Sequence, residues 1–314
     1  MSVAHPFWNR SGGTDHVFFL TTDRGGCWKP WVLQHSIIIS YFGFTAPEAY
    51  FGFEERLRWP VRGPNRRNNA YDVRPGSVAT ELACYDAHKD VVVPVDVALG
   101  RREEAKLPRP GDEYACNTRR RVLLFMGGSM QNMGRTEYSQ GVRQAIQQLH
   151  ANETGFVLGG KFALDDLRDS VFCLAPSGWG WGWRLSLAMA TQCIPVIIQP
   201  NVTQPFETLL PYASFALRFE KRDIARLPQL LRAVPSGAVC RMQQRLARYY
   251  RAMLWQQPFG AQHAGAYEVT QIWLCQRARA LAVEYTRSGL HPLAFLARHQ
   301  LACAADLEPA GVHF

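Results

Sequence analysis

The sequence predicts an α/β fold built on a parallel sheet, and three observations carry that reading. The second half of the chain alternates strand-like and helix-like segments. Its strand segments, among them "RVLLFM" and "SVFCLAP", are continuously apolar, as strands covered on both faces are. The first half carries shorter strand-like segments joined by long polar loops.

In order along the chain, "HVFFL" (16–20) follows the glycine-bearing "NRSGGTD", and "SIIIS" (36–40) and "DVVVPV" (90–95) have the same strand character. Between them, "WPVRGPNRRNNAYDVRPGS" (59–77) is loop by composition. "LGRREEAKLPRPGDEYACNT" (99–118) reads as a linker. "RVLLFMGGS" (121–129) is a buried strand running into a Gly-Gly turn. The helix "QGVRQAIQQLH" (140–150) then spaces Val142, Ile146 and Leu149 as its apolar face. "SVFCLAP" and "CIPVII" are further strands with the helix "WRLSLAMATQ" between them, and the short strand "SFALRF" is followed by the helix "DIARLPQLLRAV". Two longer helical patterns close the chain, "AVCRMQQRLARYYRAMLWQQ" and "QIWLCQRARALAVEYTR". No internal repeat or low-complexity tract interrupts this order.

The 314 residues are 47% hydrophobic and 19% charged, a globular composition with room for two domains. The apolar tracts are too short to cross a bilayer, and "MSVAHPFWNRSGG" has no signal-peptide character, so the chain is expected to be soluble. A formal charge of +9 comes from 35 Lys+Arg against 26 Asp+Glu, with arginine patches at "RGPNRRNN", "GRREEAK" and "NTRRRV". These patches fit either an anionic partner or a solvated basic surface. Without zinc-finger spacing, an RNA-binding signature or aromatic–basic interleaving, nucleic acid is not an expected partner. The eight cysteines show no CxxC pair, which speaks against a zinc site. Cys173 and Cys193 lie in apolar contexts and read as buried small hydrophobes rather than a disulfide. Sequons at Asn9, Asn152 and Asn201 permit a secretory setting.

Ligands of open parallel sheets sit beyond the carboxyl ends of the strands. Three loops meet that rule: "GGSMQNMG", "PSGWGWGW" and "QPNVTQPFE". Glycines there let backbone amides approach a phosphate, and Arg184 stands in the first turn of the following helix, where a cation opposes the helix dipole. The arrangement predicts a diphosphate corner with Arg184 as its cation, although a carboxylate partner for Arg184 would explain it equally. The loops match neither GxGxxG after a first strand nor GxxxxGK[ST]. Trp179, Trp181 and Trp183 either cover the sheet edge or stack on a base or sugar.

The stretch "SVFCLAPSGWGWGWRLSLAMATQCIPVIIQPNVTQPFETLLPYASFALRFEKRDIARLPQLL" (170–231) resembles the exostosin-type glycosyltransferases of family 47, and its tryptophan-glycine elaboration is similar to plant and algal members. "HPFWNRSGGTDHVFFLTTDRGG", "KDVVVPVD" and "RRVLLFMGGSMQ" fall in that family's order upstream. The resemblance implies a GT-B fold of two Rossmann-like halves with a cleft between them. Residues 1–117 would be an acceptor-side half, 118–260 the donor-binding half, and 261–314 a helical extension. It further implies an inverting transferase in the Golgi lumen, behind an N-terminal anchor; the anchor and the first acceptor-side strands are expected to be missing from this sequence, through truncation or a reduced N-terminal half. The donor would be a nucleotide-sugar, a UDP-sugar by expectation, and the acceptor a polysaccharide or glycoprotein glycan. Oligomers with other glycosyltransferases belong to the same expectation. No tightly bound cofactor is expected. A divalent cation suits the chemistry, but the sequence has no Asp-x-Asp motif and no protein-held metal is expected.

Carried onto this sequence, the donor site comprises Arg184, the amides of Ser177, Gly178, Gly127 and Gly128, with Trp183 and Glu207 beside them. Asp23, just beyond "HVFFL", is the expected general base, with a turn role as its alternative; Asp15 and His16 stand at the other edge of that strand. One departure stands out. The family helix reads Arg-x-x-Glu-Ala, whereas this one reads Arg184-Leu185-Ser186-Leu187-Ala188, and Glu207 is the substitute carboxylate within reach of the sequence. Leu187 also motivates a second expectation, a catalytically inactive glycan-binding or partner-stabilising protein of the same fold.

Overall fold

The computed structural model describes residues 8, 11–45, 84–97, 99–109, 116, 119–128, 138–160, 163–256 and 265–287. The loop reading of 59–77 lies outside them, as does most of the "GGSMQNMG" loop. The chain divides into two units, Met1–Val93 with Gly260–Phe314, and Pro94–Phe259. This division differs from the expected break after residue 117. The expected linker carries a helical turn at Arg101–Glu104, and the Tyr250 hydroxyl donates to the Pro108 carbonyl at 2.6 Å, within the second unit.

The first unit holds a parallel three-stranded sheet of β1 (Val17–Leu20), β2 (Ile37–Ser40) and β3 (Val91–Val92), in the order β1-β2-β3. Val17 pairs with Ile37, and Ile39 with Val91. β2 is buried throughout, as a central strand of continuous apolar residues should be. Asp90 is buried below it: its carboxylate accepts from the Ile38 amide at 2.9 Å and from Lys89 Nζ at 2.6 Å. Burial raises the Asp90 pKa, and the Lys89 charge opposes that rise.

The second unit holds the larger sheet. In chain order its strands are β4 (Val122–Met126), β5 (Phe156–Leu158), β6 (Ser170–Leu174), β7 (Ile194–Ile197) and β8 (Leu217–Arg218). In space they run β8-β7-β6-β4-β5, and every neighbouring pair is parallel. The chain therefore steps from β4 to β5 on one side, then crosses back over β4 to continue on the other. β4 and β6 are the adjacent strands at which the order reverses, and such a switch point opens a crevice at the carboxyl ends.

The helices linking these strands are α1 (Val142–His150), α2 (Leu164–Arg168) and α3 (Arg184–Ala190), and α4 (Leu227–Arg232) and α5 (Ser236–Tyr249) follow the last strand. In the first unit, α6 spans Ala266–Arg287. All seven residues of α3 are buried, so it is a core helix rather than an amphipathic one. It stops where the Thr191 hydroxyl bonds back to the Leu187 carbonyl at 2.8 Å and Gln192 turns to φ 55°. In α1, Val142 and Ile146 are buried as expected, but Leu149 is 54% exposed. Arg143 and His150 take the remaining inward positions. Leu149 is thus removed from the apolar face that the sequence predicts.

The cysteine reading is corrected as well. Cys173 in β6 and Cys193 before β7 form a disulfide, as do Cys27–Cys84 and Cys116–Cys240, and Cys275 is also bonded. Apolar surroundings make Cys173 and Cys193 look like free core thiols in the sequence. The same burial is what brings two neighbouring parallel strands close enough to bridge. Among the described residues no helix is long and apolar enough to cross a membrane.

Candidate functional site

The loops leaving β4 and β6 meet through Arg184. Its Nε donates to the Gly127 carbonyl at 3.0 Å. A Cβ on Gly128 would lie 2.2 Å from Arg184 Nη2, and Gly128 has φ 104°. The guanidinium therefore occupies the space that any side chain at 128 would need, and glycine is required there for room and for backbone shape. Gly182 answers a similar demand in the other loop, since a Cβ there would sit 2.7 Å from the Pro176 carbonyl. Gly182 thus has a local cause: without a side chain there, the loop can fold back on Pro176. Trp179, Trp181 and Trp183 are all half-buried.

A second arginine reaches the same place from α1. Arg143, 1% exposed, donates from Nη2 to the Ser177 carbonyl at 2.9 Å and stacks over the Tyr138 ring at 4.9 Å. Tyr138 in turn meets Trp179 edge-on at 5.3 Å, while Arg184 lies over the Trp183 ring at 5.4 Å. Before α1, Ser139 and Gln140 take φ 57° and 52°, and the Ser139 amide donates to the Gly178 carbonyl at 2.9 Å. This left-handed turn thereby ties the start of α1 to the tryptophan loop.

The electrostatics are one-sided. Burial lowers the Arg184 pKa to about 10, and the neighbouring Arg143 charge adds to the lowering. Arg143 is pushed down by burial too. Both remain cationic at neutral pH, and no carboxylate among the described residues pairs with Arg184. Two desolvated like charges side by side are unfavourable in an empty protein and become favourable when an anion lies between them. The expected contribution of the helix dipole is smaller, because α3 has only seven residues.

Sequence reasoning points to Arg184, Ser177, Gly178, Gly127, Gly128 and Trp183, and the structure brings these together at the switch point. Glu207 is held by partners of its own: its Oε1 accepts from Arg218 at 2.6 Å and its Oε2 from the Gln204 amide at 2.6 Å. Leu187 is 3% exposed in the core. Arg143 escapes a sequence reading because it follows Val142 in a helix whose polar positions are expected to face solvent. Its signal is its place in the first turn of that helix, where a cation is poorly stabilised by the dipole.

In the first unit, Asp23 lies past the carboxyl end of β1, in a turn closed by the Gly25 amide donating to the Thr22 carbonyl at 2.9 Å. Gly26 must follow closely, since a Cβ there would meet the Cys84 carbonyl at 2.1 Å. Asp23 keeps solvent contact, yet the surrounding protein displaces enough water to raise its pKa, against the lowering effect of Arg24. Asp15 and His16 precede β1. Asp15 accepts from Ser11, His16 Nδ1 lies 2.8 Å from Asp15 Oδ1, and the Trp8 ring packs edge-on to His16 at 5.1 Å. The strand between them separates this pair from Asp23 by about 13 Å at about 3.3 Å per residue. Asp15 and His16 are therefore not assembled with Asp23 into one constellation. Among the described residues no group of three or more His, Cys, Asp or Glu could hold a metal ion.

The arginine patch "NTRRRV" is also spent on structure. Arg120 donates to the carbonyls of Leu167, Ser170 and Thr191 at 3.0, 2.6 and 2.9 Å, and Arg121 pairs with Asp169 at 2.7 Å.

Comparison with known proteins accords with this geometry. The chain is 26% identical over 294 residues to a probable glucuronoxylan glucuronosyltransferase of Arabidopsis thaliana, covering 87% of this chain and 54% of that protein. To a second probable glucuronoxylan glucuronosyltransferase of the same plant, IRX7, it is 26% identical over 265 residues, with 78% and 50% covered. To the probable beta-1,4-xylosyltransferase IRX10L, also of Arabidopsis thaliana, it is 23% identical over 326 residues, with 97% and 66% covered. The chain spans about half the length of the first curated relatives it matches. The Exostosin GT47 domain model matches residues 1–234, which include β1 to β8 and both loops of the switch point, and the chain belongs to that family.

Proposed function

We propose that this chain is an inverting glycosyltransferase that moves a sugar from a UDP-sugar to a polysaccharide or glycoprotein glycan. The observation that carries the reading is the pair of buried guanidiniums, Arg184 and Arg143, at the switch point, with no carboxylate among the described residues paired to Arg184. In the transfer, the acceptor hydroxyl attacks the anomeric carbon from the face opposite the departing nucleoside diphosphate. Arg184 and Arg143 stabilise the charge that develops on the diphosphate, and the loop amides of Ser177, Gly178 and Gly127 orient it, the Gly128 amide being committed to the Gly160 carbonyl at 3.2 Å. Asp23 takes the acceptor proton; its raised pKa suits a general base. Trp179 and Trp183, both half-buried, offer faces for the base or sugar. The assignment follows a GT-B plan, with the donor on the Pro94–Phe259 unit and the glycan on the other. The relatives' names favour a glucuronosyl or xylosyl donor and a xylan-type acceptor. The disulfides support an oxidising lumen, here the Golgi, as the working compartment.

Titration with UDP and with UDP-glucuronic acid or UDP-xylose tests the donor site. Arg184→Ala is expected to weaken UDP binding about 100-fold, or roughly 2.7 kcal/mol. Unchanged affinity would overturn the site assignment. A second reading, an inactive glycan-binding or partner-stabilising protein, is favoured by Leu187 in the core and by Glu207 held by Arg218. Glycan binding without UDP binding or donor hydrolysis would establish that reading instead.

A further inference from the structure

We propose that Asn152 is an N-glycan acceptor, and that its glycan screens the exposed terminal strand of the larger sheet. The sequon Asn152-Glu153-Thr154 occupies the turn between α1 and β5. Both Asn152 and Thr154 are exposed, and neither side chain has a hydrogen-bond or ionic partner among the described residues. The turn is held by its middle residue and its backbone: Arg232 Nη2 donates to Glu153 Oε1 at 2.6 Å and to the Thr154 carbonyl at 2.8 Å. The Glu153 amide donates to the His150 carbonyl at 3.1 Å, and the Phe156 amide to the Glu153 carbonyl at 3.0 Å. Attaching a sugar to Asn152 thus breaks no contact of the fold.

The other described sequon has a different setting. Asn201 has φ 57°, follows β7 at its carboxyl end, and stands next to Pro200, whose carbonyl accepts from Gln140 at 3.2 Å. A glycan there would stand on the rim of the switch-point loops. Asn152 lies at the opposite, amino-terminal end of β5, away from those loops. Exposed apolar side chains flank the sequon along the chain: β5 is the last strand of its sheet among the described residues, with Val157 43% exposed, and Leu149 near the end of α1 is exposed too. A terminal strand with free hydrogen-bonding groups and apolar side chains invites pairing with another chain, and a bulky hydrophilic cover prevents it.

The modification rests on the lumenal reading, which the disulfides support. Chemically, Asn152 Nδ2 attacks C1 of a lipid-diphosphate-linked oligosaccharide. The N–C1 bond forms, the C1–O bond to phosphate breaks, the lipid diphosphate leaves, and an amide proton passes to a base of the transferring enzyme. The test secretes the whole chain behind a cleavable leader from a eukaryotic host, so that the compartment is imposed. Peptide mapping with and without endoglycosidase is expected to find Asn152 occupied. Asn152→Gln and Thr154→Ala should each remove that glycan, and Thr154→Ser should retain it. Sedimentation should show more self-association for Asn152→Gln than for the parent. Secreted, folded parent chain with Asn152 unmodified, or with sugar on Asn201 alone, would overturn the proposal. Equal self-association with and without the glycan would overturn its screening role. Disulfide mapping of the chain from its natural source tests the compartment separately.

Discussion

Gly128 shows how little freedom one position of this site has. An alanine methyl would need the space of Arg184 Nη2 and a backbone of φ 104°, so Gly128→Ala should displace the guanidinium and strain the loop. The expected cost is about 1–3 kcal/mol of stability, and about a tenfold loss of UDP affinity, measured by thermal unfolding and calorimetric titration of one preparation. Asp23 makes a prediction of a different kind. Its folded pKa is raised, so its ionised form destabilises the fold at neutral pH and that penalty fades as pH falls through the raised value. Asp23→Asn should accordingly keep or slightly raise the melting temperature at pH 7, while lowering kcat by ~10²–10⁴-fold if Asp23 is the base. The acid limb of kcat/KM in the parent should lie above the ordinary aspartate value of about 3.9 and vanish in the variant. A melting temperature that drops with unchanged kcat would leave Asp23 as a turn residue. At this scale Arg184 is legible in the sequence because a cation in a first helical turn is locally misplaced. Arg143 carries the same first-turn signal, but its burial against the Ser177 carbonyl depends on which loops tertiary structure stacks above it.

Among the elements, the span from β6 to β7 is closed by the Cys173–Cys193 bridge, which encloses the tryptophan loop and all of α3. A 20-residue loop closed in this way gains about 3 kcal/mol by restricting the unfolded chain. The paired change Cys173→Ala/Cys193→Ala should lose stability of that order in denaturant titration, with weaker UDP binding as the enclosed loop loosens. Continuous apolar runs make β2, β4, β6 and β7 readable in the sequence, since a strand covered on both faces needs no alternation. β5 escapes: it is three residues between glycines, on the sheet's border, and "FVL" alone carries no period. With β5 unseen, the reversal of strand order is unseen too. The loops can be named from the sequence, but the fact that β4 and β6 are neighbours, which brings Gly128 to Arg184, cannot.

For the whole molecule, the bridges Cys27–Cys84, Cys116–Cys240 and Cys173–Cys193 distribute covalent links through both units. Non-reducing peptide mapping should recover these three pairs, and dithiothreitol should lower the melting temperature markedly; an unchanged transition would contradict their structural weight. Composition can count cysteines but not pair them, because pairing is set by which strands and loops become neighbours. The same holds for charge. Composition spreads +9 over an undifferentiated surface, whereas Arg24, Arg143, Arg184 and Arg251 are buried, Arg120 is half-buried against backbone carbonyls and Arg121 is neutralised by Asp169. Of the buried arginines among the described residues, Arg143 and Arg184 lie where the strand order reverses. On the proposed donor reading, the molecule acts less as a diffuse polycation than as a lens: the low-dielectric surroundings of two guanidiniums concentrate their field on the switch-point loops, and the formal charge overstates attraction at Arg121.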